Sequence, residues 1–248
     1  MADFIHIDRD RLYTDLQYRF EYVAGFIGFD EKDRQLIRDS APIVEPLIPK
    51  IVDAFYEKIF SYDAVKVFMT KPMSGIEDNS ETMETIRLDS SPILYRKMML
   101  KKYFNRILTA DWDTAHIRYL DWVARIHPLS PVEGASIGVN YVHVNSMIGY
   151  LAGLFTDVLT RINEWDEETK CNTVIAFNKF FYVQADLFSR YYVKEGVAEI
   201  EKEAIEEAKK QEMEEIRQRV GTESHPVLMT FALIGLVLGS VTARILYK

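Results

Sequence analysis

Two imidazoles share one face of a single predicted helix. In the segment DTAHIRYLDWVARIH, His116, Leu120, Val123 and His127 stand four, three and four residues apart, a spacing that stacks them on one side of an α-helix. The apolar stripe so formed carries a histidine at each end, to be read either as core residues or as ligands. Neutral imidazole is a common metal ligand. The sequence nevertheless holds no H-E-x-x-H, no pair of cysteines and no carboxylate cluster to complete a zinc or di-iron site. A metal on His127 would have to take its remaining ligands from something other than protein. His127 also precedes Pro128, and the residue before a proline is pushed out of the helical region, so the helix is expected to end at this histidine.

The elements that must position these residues read as helices over residues 1–194, because no run of strict apolar–polar alternation bounded by turn signals supplies a strand. A first helix is expected over Asp10 to Ala24, with Gly25 and Gly28 after it. A second starts at the N-cap Asp30 and runs to about Ser40. A third covers Pro42 to Phe60, bending near Pro46 and Pro49. Ser91-Pro92 is a helix start signal for ILYRKMMLKKYFNRIL. The histidine-bearing helix follows from Asp113, and two further helices cover SIGVNYVHVNSMIGYLAGLF and about Asp166 to Tyr192.

The composition limits the setting. With 248 residues, 48% of them hydrophobic and 27% charged, the chain is long and apolar enough for a sizeable core and is not disordered as a whole. A net charge of −8 and a pI near 5.3 argue against a nucleic-acid partner. One cysteine, Cys171, excludes an intrachain disulfide and fits a reducing compartment.

The C-terminal part differs in kind. Residues 195–224, including EGVAEIEKEAIEEAKKQEMEEIRQRVG, are rich in Glu, Lys and Ala and predict a charged spacer helix. Val197, Ile200, Ala204 and Ala208 give it only a thin apolar stripe. Residues 225–248 predict a single membrane-spanning helix: Val227 to Ala243 carries no charge, and about 20 apolar residues at ~1.5 Å each approach the ~30 Å hydrocarbon thickness. Such a placement implies a tail anchor with the rest of the chain on the cytosolic face of an intracellular membrane. Gly235 and Gly239 form one G-x-x-x-G, compatible with a homodimer.

Over most of residues 8–192 the chain resembles the protoglobins and the globin domains of globin-coupled sensors. The resemblance rests on an ordered set: an extra helix before the core, then DAFYEKIFSYDAVKVFM with its aromatic–tyrosine pair, LKKYFNRIL, which is similar to the distal helix, WVARIH, which is similar to the helix of the proximal histidine, and the two long helices after it. It implies an all-α, globin-like (protoglobin-type) fold with an extra N-terminal helix, and haem b as cofactor with His127 as the iron ligand. His116 is the rival ligand. Phe55, Tyr56, Tyr103 and Phe104 become candidates for the distal face, and Val123 and Tyr141 for contacts with the cofactor. A buried Tyr56 hydroxyl needs a partner, which a polar gas ligand would supply, with Tyr103 as a second donor or simply a wall. Two classes of function follow. One is a membrane-anchored haem protein binding O2, NO or CO for sensing or haem redox chemistry. The other is a haem-free, all-helical, tail-anchored adaptor, whose layout is similar to that of the Bcl-2 family, although the asparagine-tryptophan-glycine-arginine signature is absent.

Overall fold

The computed structural model describes residues 4–71, 81–128 and 137–193, which lie within one unit, Met1–Val193. Among them the regular structure is entirely helical. The predicted first helix is two: α1, Arg9–Thr14, and α2, Leu16–Ile27. The break is at Asp15, whose side chain caps α2 by accepting from the Tyr18 amide. Gly28 ends α2 in the left-handed region at φ 70°, where a side chain would be strained.

Helix α3, Glu31–Val44, opens with a capping box in which Asp30 and Asp33 satisfy each other's backbone amides. It runs through Pro42, where the sequence predicts a new helix to begin. The interruption comes instead at a 3-10 turn, Glu45–Leu47, around Pro46, and α4, Ile48–Phe60, follows directly with Pro49 in its first turn. A short α5, Asp63–Lys66, leads into a second 3-10 turn, Val67–Thr70. Helix α6, Ser91–Leu108, starts one residue earlier than Ser91-Pro92 predicts, with Ser90 at the N-cap position and Pro92 in the first turn. Helix α7, Thr114–Arg125, is capped by Asp113, and α8 covers Tyr141–Thr160. Residues 167–193 form α9, preceded by Asp166, whose carboxylate accepts from the Thr169 amide at 2.7 Å. The predicted spacer at 195–224 and span at 225–248 lie outside the described residues. No helix among the described residues is long and apolar enough to cross a membrane.

Helix α4 packs against α6 and α8, and α2 against α7. Polar bonds lock α9 onto the others. Asp186 receives two bonds from Arg19 of α2 at 2.7 Å each. Lys179 bonds Asp33 of α3 at 2.8 Å and the Gly28 carbonyl at 2.7 Å. Arg190 and Tyr191 both bond Asp121 of α7, at 2.5 and 2.7 Å. Each such pair is fork-like or shares a carboxylate between two donors, which fixes orientation as well as distance. Between α6 and α7, Trp112 adopts φ 58°, an uncommon conformation for a bulky residue. Its ring is buried edge-on against Phe29 and His116, with centroids 5.0 Å away in each case, and this packing holds the turn between the two helices.

Candidate ligand pocket at His127

An apolar cavity of about 220 Å³ lies among α4, α6, α7, α8 and α9. Each helix contributes one stripe. Helix α4 supplies Phe55, Tyr56 and Ile59, and α6 supplies Arg96, Met99, Leu100 and Tyr103. Val144, Met147, Ile148 and Leu151 come from α8, and Phe181, Gln184 and Phe188 from α9. The three- and four-residue spacings are those of single helical faces.

His127 sits two residues beyond the end of α7, as the proline rule predicts, and lines the cavity. Its ring Nδ1 is 2.7 Å from the Val123 carbonyl, one of the carbonyls that a helix end leaves without an intrahelical partner. A carbonyl only accepts, so Nδ1 carries the proton and Nε2 keeps its lone pair. Phe188 packs edge-on to the ring at 4.9 Å. The backbone is clasped as well: the Val139 amide donates to the His127 carbonyl and the Ile137 amide to that of Ile126, each at 2.9 Å. Residues 129–136, which join these two strips of chain, lie outside the described residues. Burial holds the His127 pKa down at about 4; the Val123 carbonyl pulls it up and the Arg96 charge pushes it further down. The ring is therefore a neutral, single-tautomer, preoriented Lewis base.

His116 is placed differently, inside α7 near its start. It is buried at 4% exposure between Trp112 and Tyr119, does not line the cavity, and has no partner for Nε2 among the described residues. Burial, reinforced by the Arg106 charge, lowers its pKa to about 4. The two histidines stand eleven positions apart, about three helical turns, and His127 has already left the helix, so the two rings do not converge.

Of the other residues singled out from the sequence, Phe55, Tyr56, Tyr103 and Val123 line the cavity with His127, whereas Phe104 and Tyr141 do not. Phe104 is buried in the core against Phe155, with centroids 4.9 Å apart, and Tyr141 packs on Tyr192 at 5.3 Å. Tyr103 donates its hydroxyl proton to Gln184 Oε1 at 3.0 Å, which makes it a wall with its donor committed. Tyr56 keeps its hydroxyl without a hydrogen-bond partner among the described residues, and burial pushes this phenol's pKa up while the Arg96 charge pulls it down. The phenol is a neutral donor.

Sequence reasoning missed Arg96 and Gln184. Arg96 shares a face with Leu100 and Tyr103, at intervals of four and three, and Gln184 sits between Phe181 and Phe188 at three and four. The signal in both cases is a polar residue inside an apolar stripe, which the helical period exposes once the stripe is recognised as interior.

These residues suit a haem. A planar, largely apolar group requires helix-borne Leu, Ile, Val, Met and Phe walls and one neutral imidazole nitrogen. The Val123 bond that fixes the ring is the kind of outer support that metal-bound histidines carry. No metal cluster of protein side chains exists among the described residues, so a bound metal would have to arrive with its own ligands. No curated protein matches the chain. The protein-family comparison, however, matches residues 16–198 to Protoglobin, a span that takes in every cavity-lining helix, and the chain belongs to this family of haem-binding globins.

Proposed function

We propose that the protein binds haem b through His127 Nε2 and takes a diatomic gas, O2, NO or CO, into the same cavity for sensing or haem redox chemistry. The observation that carries this reading is the His127 ring, locked by Val123 into the tautomer that leaves Nε2 as a lone-pair nitrogen on an apolar cavity. The haem would supply an iron centre with an open position for the gas. The chain's own residues would do the rest: His127 as the proximal base, the walls of α4, α6 and α8 to keep water out, and Tyr56 as the neutral hydrogen-bond donor to a polar ligand. An adaptor needs neither an interior cavity nor an oriented imidazole. The uncharged run from Val227 to Ala243 supports a tail anchor, with residues 1–224 on the cytosolic side, and G-x-x-x-G at Gly235 and Gly239 supports self-association within the bilayer.

Absorption spectra of the full-length protein reconstituted with haem test the assignment. The unsubstituted protein is expected to take up one haem, with a Soret band that shifts on reduction and again with CO. His127→Ala is expected to lose stoichiometric uptake or to regain it only with added imidazole, and His116→Ala to keep it. The reverse pattern would move the iron to His116.

A further inference from the structure

Most buried or half-buried cations in this fold have a carboxylate. Arg19 has Asp186, Lys97 has Asp53, Lys179 has Asp33 and Arg190 has Asp121. Arg96 does not. It is 4% exposed and lines the cavity, and among the described residues it forms no ion pair. Its Nη2 donates to the Lys71 carbonyl at 2.9 Å, while its Nε has no hydrogen-bond partner among the described residues. A guanidinium stays charged in proteins, and a charge buried without a counter-charge is costly.

The polar groups around Arg96 sharpen the point. The Tyr103 proton is taken by Gln184, and the Gln184 amide faces the Leu120 carbonyl at 3.4 Å. The His127 Nδ1 proton is taken by Val123. The buried donors that remain for an occupant of the cavity, among the described residues, are the Tyr56 hydroxyl from α4 and the Arg96 guanidinium from α6; the Tyr119 hydroxyl and the Trp122 indole N–H of α7 also belong to lining residues, but those side chains are partly exposed. Among the described residues no carboxylate lines the cavity. One positive charge and one neutral O–H, enclosed by apolar walls, make an environment that selects negative charge.

We propose that Arg96 and Tyr56 form an anion subsite in the cavity, which takes a small inorganic anion of the azide, nitrite or fluoride class as a ligand beside the haem iron. This rests on the haem reading above. It goes beyond gas binding because it assigns the oxidised protein its own class of ligand. The guanidinium supplies charge and a fork of N–H donors, and the phenol supplies a second, neutral donor. An anionic oxygen is also present on the carboxylate side chains of a porphyrin, and Arg96 paired to one of those would leave no subsite.

Titration of the ferric, full-length holoprotein with sodium azide and sodium nitrite, read from the Soret band, separates these cases. Arg96→Met is expected to weaken both anions by at least about tenfold, while the CO affinity of the ferrous protein changes by less than about twofold. Arg96→Lys, which keeps the charge and loses the fork, is expected to fall between. Tyr56→Phe keeps the packing and removes the second donor, and is expected to weaken the anions by about threefold or more even if Arg96→Met does not fold. Unchanged anion affinity in Arg96→Met and Tyr56→Phe overturns the subsite. So does anion affinity that is unchanged in Arg96→Met while haem is lost faster to an apoglobin acceptor, which would assign Arg96 to a porphyrin carboxylate. Equal weakening of azide and CO would make the effect steric and overturn it too. If the unsubstituted protein shows no Soret band, the haem reading itself fails, a result distinct from all the others.

Discussion

Tyr56 and Tyr103 show how one hydrogen bond separates two chemically identical side chains. Both line the same cavity, yet Tyr103 spends its proton on Gln184 and Tyr56 does not. The expected consequence is that Tyr56 governs the polar stabilisation of a bound gas. A hydrogen bond to a charged acceptor contributes about 1.5–3 kcal/mol, which corresponds to roughly ten- to a hundredfold in rate. Tyr56→Phe is therefore expected to speed O2 release or autoxidation by that order and to change CO release only slightly, because CO carries much less negative charge on its outer atom. Stopped-flow release rates for both gases check this, and equal effects would mean that the ring acts by its bulk. Replacing Tyr103 by Phe is expected to alter gas release far less, its cost being the unpaired Gln184 carbonyl.

Helix α7 carries His116 near its start and delivers His127 just beyond its end, and the difference between the two lies in what meets each end. At its start, Asp113 caps the helix and Trp112 encloses His116; at its end, the Val123 carbonyl turns the His127 ring toward the cavity. His116 has a consequence for pH. Its folded pKa is lowered from 6.5 to about 4, so between these values the unfolded chain binds a proton that the folded chain refuses. Stability is fully present above about pH 6.5 and falls as the pH drops toward 4, by about 3 kcal/mol from this group. His116→Phe is expected to flatten the fall in unfolding free energy between pH 6.5 and 4 by that amount, measured by urea titration at each pH, with His127 intact in both proteins. An unchanged slope would mean that His116 titrates normally.

The unit Met1–Val193 and the C-terminal tail make separable demands. The described residues that wall the cavity all belong to the first unit, and colour and ligand binding are expected to be independent of the tail. Deleting residues 222–248 is expected to give a protein that remains in solution without detergent, with the spectrum of the full-length chain. The full-length chain is expected to resist carbonate extraction from membranes, with its N-terminal unit open to protease on intact organelles. Release by carbonate, or protection from protease, would remove the tail anchor.

Local pattern was enough for the helical class and for most helix starts. Asp30, Ser91-Pro92 and Asp113 announce their helices because a capping carboxylate or a first-turn proline acts on neighbours in sequence. Asp15 also caps a helix, yet it stands inside an apparently continuous periodic run that hides the break. Pro42 misled because a proline in a helix is tolerated or not according to packing, and here the chain bends only at Pro46. The exit of the chain from α7 at His127 was legible from Pro128 alone. Which face of a helix meets a cavity was not. Phe104 and Tyr141 sit beside or in line with cavity residues and still turn into the core or onto Tyr192, because several helices must converge before inside and cavity become different places. The exceptional status of Arg96 is tertiary for the same reason. A lone arginine in an apolar stripe is unremarkable until the other helices are in place and none of them brings it a carboxylate.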